Sequence, residues 1–297
     1  MSIYPGVRVD SISVGGATVH YYDGGESESE RPPVVLIHGT GGKIGTHFFT
    51  VYPMLASRHR VIGIDLSDAN CDSEDPTAPL TVAGLARQVV AVLNQVGEHR
   101  RFALVGYSLG AAVAIEVAAQ YPKLVESLVL LNGWAKTDNA LRLRLSLWHK
   151  LRNSQELGAL AEFMMLNIYS RAYLNVRKFD EILQLRDAYA VGPGSDRQMA
   201  LNLALDVSDR LPLVKARTLV VASKYDQLVP DAHSFELFGG IAKASLADIA
   251  CGHASVTERP AEVFRLIDRY VRDSGESLDK LSRFEDPSLK QLNAFVS

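Results

Sequence analysis

The stretch Phe102-Ala103-Leu104-Val105-Gly106-Tyr107-Ser108-Leu109-Gly110 decides the fold. An apolar run of strand length, Phe102 to Val105, enters a turn in which a serine stands between two glycines. A small-residue helical run, Ala111 to Tyr121, leaves it. A strand-to-helix turn this tight strains the serine backbone and lifts its hydroxyl above the sheet, and the flanking glycines give the turn room. The pattern predicts an exposed, activated nucleophile at Ser108.

Outward from this turn, strand and helix alternate. Arg8 to Val14 and Ala17 to Tyr22, parted by Gly15-Gly16, read as a hairpin. Asp23 to Arg31 reads as an acidic surface loop. Pro33 to His38 and Arg60 to Leu66 are continuous apolar runs, as buried parallel strands are. Phe48 to Ser57 and Thr81 to Val96 read as helices, the second with Leu85, Val89, Leu93 and Val96 at helical spacing. Strands are predicted at Phe102 to Tyr107, Val125 to Leu131, Thr218 to Ala222 and Ala244 to Ala250. Helices are predicted at Leu109 to Gln120, Ala232 to Phe238 and Ala261 to Val271. Such alternation predicts a mostly parallel, eight-stranded sheet with helices on both faces. It breaks once. From about Trp134 to Leu211 only helical patterns occur: Leu141 to Leu151, Gln155 to Ile168, Lys178 to Tyr189 and Arg197 to Leu205. The expected organisation is a core of residues 1–133 and 212–297 with an all-helical cap, 134–211, over the carboxyl edge of the sheet. The charged tail after Gly275 is given no function.

Composition narrows the class. The chain has 297 residues, 47% hydrophobic and 22% charged, with a net charge of −3, an ordinary globular balance. It offers no electrostatic case for nucleic acid or an anionic membrane. No apolar stretch approaches the roughly 18 residues that span a bilayer. The start, MSIYPGVRVD, shows no basic segment followed by an apolar one, so a cytoplasmic protein is expected. Two cysteines, Cys71 and Cys251, build neither a disulfide framework nor a zinc site. The expected partner is a small-molecule substrate, with a homodimer left open.

A serine hydroxyl needs a base, and the base needs an orienting acid. Both should leave the carboxyl ends of later strands, in the order Ser, acid, His. Asp226 follows the strand ending near Ser223. His253 follows the next strand, within Cys251-Gly252-His253. The assignment is nucleophile Ser108, base His253 and orienting carboxylate Asp226. Oxyanion donors are expected from the backbone N–H of Leu109, at a helix start, and of Thr40, in the loop His38-Gly39-Thr40-Gly41-Gly42. His38 reads as structural and Asp65 as a loop-organising acceptor. Asp68, Asp72, Glu74 and Asp75 read as a solvated loop rather than a metal site, and Cys251 as buried filler. His20, His47, His99 and His233 read as packing or surface residues, and His149 as a cap residue. Gly41, Tyr107, Trp134, Trp148, Met164 and Tyr169 are the candidates to line an apolar cleft, with Phe163, Met165 and Tyr173 nearby.

These motifs, His38-Gly39-Thr40-Gly41-Gly42, Gly106-Tyr107-Ser108-Leu109-Gly110, the Asp226 loop with Val229-Pro230, and Cys251-Gly252-His253, make the chain resemble the α/β-hydrolase superfamily from Arg8 to Val271. Leu131-Asn132-Gly133-Trp134 and the stretch Val221 to Glu258 make it most similar to 3-oxoadipate enol-lactonases and aminoacrylate (carbamate) hydrolases. Where many relatives carry Arg-Gly-x-Gly-x-Ser after the Asp65 strand, this chain has Leu66-Ser67-Asp68-Ala69-Asn70-Cys71. The resemblance implies a cofactor-free serine hydrolase of an ester, lactone or thioester with a small to medium apolar acyl group. A lyase or cyclase on the same fold, or a ligand receptor, are the competing readings. The first would survive Ser108→Ala, and the second would leave Ser108 unlabelled by a fluorophosphonate.

Overall fold

The computed structural model describes residues 4–25, 31–67, 75, 77–97, 100–154, 156–189 and 194–273. The hairpin forms from β1 (Arg8–Val14) and β2 (Ala17–Gly25). β3 (Val34–Ile37), α1 (Ile44–His47), α2 (Val51–Ala56), β4 (Arg60–Asp65), α3 (Val82–Val96), β5 (Phe102–Tyr107), α4 (Leu109–Gln120) and β6 (Val125–Leu131) follow. Next come five helices, α5 (Asn139–Asn153), α6 (Leu157–Ile168), α7 (Arg171–Asn175), α8 (Phe179–Asp187) and α9 (Ser195–Ala204). A 3-10 turn at Ser208–Leu213 returns the chain to β7 (Arg217–Ser223), α10 (Asp231–Gly240), β8 (Ala244–Ile249), α11 (Ser255–Glu258) and α12 (Pro260–Arg272).

The eight strands lie in the order β1-β2-β4-β3-β5-β6-β7-β8. β2 runs antiparallel to β1 and β4, and every other pair is parallel. Strand residues split between two faces by alternation. Val35, Ile37, Leu104, Leu128, Leu130 and Val220 pack with α3 and α4. Val34, Leu36, Val105, Val129, Leu131 and Val221 pack with α1, α2 and α12. Because both faces are covered, the central strands are apolar throughout.

Three boundaries differ from the sequence reading. Asp23, Gly24 and Gly25 belong to β2, not to a loop, and pair with Ile62, Val61 and Arg60. The Asp23 carboxylate receives Arg60 through Nε (3.0 Å) and Nη2 (2.8 Å), so an acidic residue holds the strand rather than ending it. The expected helix Phe48 to Ser57 is the shorter α2, and α1 just before it was not expected. Pro53 falls in the first turn of α2, where its missing N–H has no intrahelical acceptor to lose. Helices α7 and α11 were not expected. At five and four residues they are too short to show a helical period.

Strand register aligns the carboxyl ends. Ile37 lies beside Gly106, Tyr107 beside Leu131, and Ser223 beside Ile249. The residues that follow these strands therefore emerge on one edge: the His38–Gly42 loop, Ser108, Asn132, Asp226 and His253. α4, which carries Ser108 at its start, is buried on every side from Leu109 to Ala118. Its glycine and alanines let it approach the sheet closely. A Cβ on Gly110 would stand 2.2 Å from the Ile37 carbonyl oxygen and 2.6 Å from that of His38. Both obstacles are backbone and cannot rotate away. Gly110→Ala is therefore expected to destabilise the protein by about 3 kcal/mol, read as a lower urea midpoint; a loss below about 0.5 kcal/mol would show that the turn has slack.

Candidate active site

Ser108 takes φ 55° and ψ −121°, a conformation L-residues rarely hold, and its neighbours over-determine it. Its N–H donates to the Leu131 carbonyl and its own carbonyl accepts from the Ala111 N–H, both at 2.9 Å. The hydroxyl points along the sheet edge to His253, with Oγ 3.0 Å from Nε2. The opposite ring nitrogen, Nδ1, is 2.7 Å from Asp226 Oδ2. Nδ1 carries the proton to the carboxylate, so Nε2 is left to accept from the serine. The three side chains named from the sequence thus meet in one relay. Ser108 and Asp226 are 5% exposed and His253 is 4% exposed, so bulk water does not compete for these bonds.

A buried carboxylate is costly unless its lone pairs are met. Asp226 Oδ1 accepts the amides of Leu228 (2.9 Å) and Val229 (2.8 Å). Oδ2, beside its bond to the imidazole, accepts Asn132 Nδ2 at 3.0 Å. Asn132 also donates to Ser223 Oγ at 2.6 Å and accepts from Ser255 Oγ at 2.6 Å. It sits at φ 52°, a left-handed conformation that Asn tolerates. The His253 carbonyl accepts the Tyr107 hydroxyl at 3.1 Å. Burial pushes the Tyr107 phenol well above its usual range, so it stays a neutral donor.

The loop after β3 presses on Ser108. A Cβ on Gly39 would lie 2.8 Å from the Ser108 Cβ, so only glycine brings the loop this close. The Gly39 N–H donates to His47 Nδ1 at 3.1 Å, and the Gly41 N–H to Gln198 Oε1 at 2.7 Å. The amides of Thr40 and Leu109 have no acceptor among the described residues. His38 is tied at both nitrogens. Nδ1 donates to the Gly39 carbonyl (2.7 Å), and Nε2 accepts the Leu66 N–H (2.9 Å). It is buried and keeps a low proton affinity for that reason. Asp65 accepts the Ile44 N–H at 2.8 Å and the Tyr22 hydroxyl at 3.3 Å.

The proposed cleft residues divide. Trp134 and Trp148 are each 2% exposed and packed into the apolar core. The Trp134 Nε1–H donates to Thr137 Oγ1 at 2.9 Å. Both indoles serve packing, because a large apolar ring is worth most where it is fully covered. Tyr107 lies under His253, with ring centroids 5.6 Å apart, and supports the imidazole. Met164 and Phe163 are half-buried against the core, and Met165 is buried. Gly41 is exposed. Tyr169 is half-buried and stacks on Tyr173 at 4.7 Å. Its neighbours fix it beside the histidine loop. The Ala254 N–H donates to the Ile168 carbonyl (2.9 Å). Glu258 takes the Ser170 N–H (2.7 Å), the Ser170 hydroxyl (2.6 Å) and the Gly252 N–H (3.1 Å).

Asn132, Glu258, Gln198 and Asn202 escaped the sequence reading. Asn132 directly follows an apolar strand, a position that admits positive φ, and this was its one visible signal. The others act across the fold, and their local sequence carries no trace of it. Of the remaining histidines, His233 is buried between Asp138 and Glu236, 3.5 Å from each. His149 is exposed and bonds Asn153. His47 is more than packing, since it holds the Gly39 amide. Asp68, Cys71, Asp72, Glu74, His99 and the tail lie outside the described residues. Asp75 caps a turn through the Thr77 N–H and hydroxyl, which hold its carboxyl below the usual range.

Comparison with known proteins fits this geometry. The profile of the alpha/beta hydrolase family matches residues 34–266. Pyrrolizixenacetamide deacetylase of Xenorhabdus hominickii is 30% identical over 267 residues, spanning 89% of this chain and 98% of that protein. A protein of Stutzerimonas stutzeri with the provisional name carbamate hydrolase RutD is 26% identical, over 87% of this chain and 98% of its own. Among solved structures, the enol-lactonase of Burkholderia xenovorans LB400 superposes with a TM-score of 0.76 at 21% identity, covering 89% of this chain and all of that one (100%).

Two expectations follow. Burial drives the Cys251 thiol up to about 12, and only a thiolate reacts. Iodoacetamide at pH 8 should leave Cys251 unmodified in the native protein and alkylate it in urea, as mapped by peptide mass; native labelling would contradict the burial. His47 is held down to about 3 from 6.5, first by burial and then by the charges of His38 and His253. A depressed native value means that the unfolded chain binds the proton more readily, so stability is full above about 6.5 and drains as pH falls towards about 3. His47→Gln should therefore flatten the fall in urea midpoint between pH 7 and pH 5; an unchanged slope would remove His47 from that account.

Proposed function

The chain belongs to the alpha/beta hydrolase family, and on that premise we propose that it is a serine hydrolase of an acyl bond. The observation that carries the reading is the unbroken relay from Ser108 Oγ through His253 (3.0 Å) to Asp226 (2.7 Å). The Ser108 hydroxyl attacks the carbonyl carbon while His253 Nε2 takes its proton. Asp226 holds the ring and stabilises the imidazolium. The oxyanion turns to the N–H groups of Leu109 and Thr40, whose lack of other acceptors suits them to it. Each such donor is worth on the order of 3 kcal/mol. His253 then protonates the leaving group, and an acyl group remains on Ser108. Water, deprotonated by the same imidazole, releases the acid and restores the serine. Nucleophile, base and oxyanion donors all come from the chain, so the proposed reaction calls on no cofactor.

Residues 134–211 act in this reading as a cap that covers the site. The burial of Ser108 and His253 and the seating of residues 168–170 against the histidine loop favour a small to medium acyl group. Removal of an acetyl group and hydrolysis of a carbamate, the activities in the relatives' names, are both acyl transfers to water. They extend the range of bonds from esters, lactones and thioesters to amides and carbamates.

A fluorophosphonate should modify Ser108 stoichiometrically, and p-nitrophenyl acetate should be hydrolysed. Ser108→Ala is expected to abolish both, and Asp226→Asn to lower kcat by about 10⁴-fold. An unlabelled Ser108 in folded protein, or full activity in Ser108→Ala, would overturn the proposal.

A further inference from the structure

The loop that supplies the Thr40 amide is held from the helical insertion. Gly39, Gly41 and Gly42 have their N–H groups taken by His47 Nδ1 (3.1 Å), Gln198 Oε1 (2.7 Å) and the Gly39 carbonyl (3.3 Å). Among the described residues the Thr40 amide has no acceptor, and its hydroxyl accepts Asn202 Nδ2 at 2.8 Å. Gln198 and Asn202 stand four residues apart on α9 and so share one face. They are 0% and 3% exposed. The other end of the Gln198 amide donates to the Ser67 carbonyl at 2.9 Å. Gln198 therefore ties the loop after β3 to the loop after β4.

α9 is itself anchored to the root of the insertion. The Thr137 hydroxyl donates to the Asn202 carbonyl at 2.6 Å, and the Thr137 hydroxyl oxygen accepts the Trp134 indole N–H at 2.9 Å. The Thr137 N–H donates to the Leu205 carbonyl (3.0 Å), and the Val207 N–H to that of Ala135 (2.7 Å). These bonds fix α9 to the chain leaving β6, the strand that ends beside the nucleophile turn.

We propose that Gln198 and Asn202 are positioning residues that aim the Thr40 amide at the developing oxyanion. The idea rests on the acyl-transfer reading above. A backbone donor stabilises charge only if it is already pointed at it, since reorientation during the reaction would consume the gain. A three-glycine loop has the freedom to turn that amide away. Gln198 removes that freedom at the residue after the donor and Asn202 at the donor's own side chain, while His47 holds the residue before it. The pair thereby makes the acyl-transfer rate depend on where α9 sits.

A double-mutant cycle on p-nitrophenyl acetate hydrolysis tests this. Thr40→Val keeps the amide and deletes only the hydroxyl that Asn202 holds. Asn202→Leu removes the same bond from the other side. Each is expected to lower kcat about tenfold with KM unchanged, the signature of an interaction felt in the transition state. The double variant is expected to lose the same tenfold, because both act through one bond. Gln198→Met should also lower kcat about tenfold at constant KM. Losses that multiply to about a hundredfold, effects confined to KM, or unchanged kcat in folded variants would overturn the proposal. If Asn202→Leu fails to fold, Asn202→Ala replaces it in the cycle. Ser108→Ala is the control. A dead Ser108→Ala beside fully active Thr40→Val and Asn202→Leu would refute the positioning role alone, whereas an active Ser108→Ala would refute the acyl-transfer reading and this inference with it.

Discussion

One imidazole joins a hydroxyl and a carboxylate that reach it from different strands, at 3.0 and 2.7 Å. Those distances tolerate little error, since a hydrogen bond weakens steeply beyond about 3.2 Å. The sheet provides the tolerance. Five parallel strands in fixed register deliver five loops to one edge. Each strand is locked by apolar packing on both faces, so the loops begin from points that barely move. Side chains carried on short connections from such points need only local order to meet.

Local order is supplied by polar groups that are buried and paired. Asp226 spends its lone pairs on two amides, one carboxamide and one imidazole. Glu258 takes three donors from Ser170 and Gly252. His38 is tied at both nitrogens. Left unpaired, each of these groups would cost more than a surface residue. Paired, they prevent the loops from adopting alternatives, because any other arrangement orphans a buried atom. The strain at Ser108 and Asn132 persists under the same constraint.

The helical insertion adds contacts that reach the site from above. Ile168 and Ser170 grip the loop carrying His253, and Gln198 and Asn202 grip the loop carrying Thr40. Two separate parts of the insertion thus hold two separate loops at the strand edge.

Much of this was legible in the chain. The apolar runs of β3 to β7 announce buried strands because a parallel sheet excludes water from both faces. Gly106-Tyr107-Ser108-Leu109-Gly110 announces its turn because few other residues permit that backbone. The order Ser108, Asp226, His253 follows from the chain visiting the strands in sequence. Short helices such as α7 gave no period to read, and Asp23 looked like a loop residue because its partner, Arg60, lies on another strand. The sequence by itself determined the alternation of elements, the strand-to-helix turn at Ser108 and the chemical types available at one edge, since these depend on local pattern and sterics. Only the tertiary structure decided that Trp134 and Trp148 go to the core, that Asn132 and Glu258 brace the loops around His253, and that Gln198 and Asn202 bind the loop after β3. A side chain's partner across more than a hundred residues is set by packing, and no local spacing encodes it.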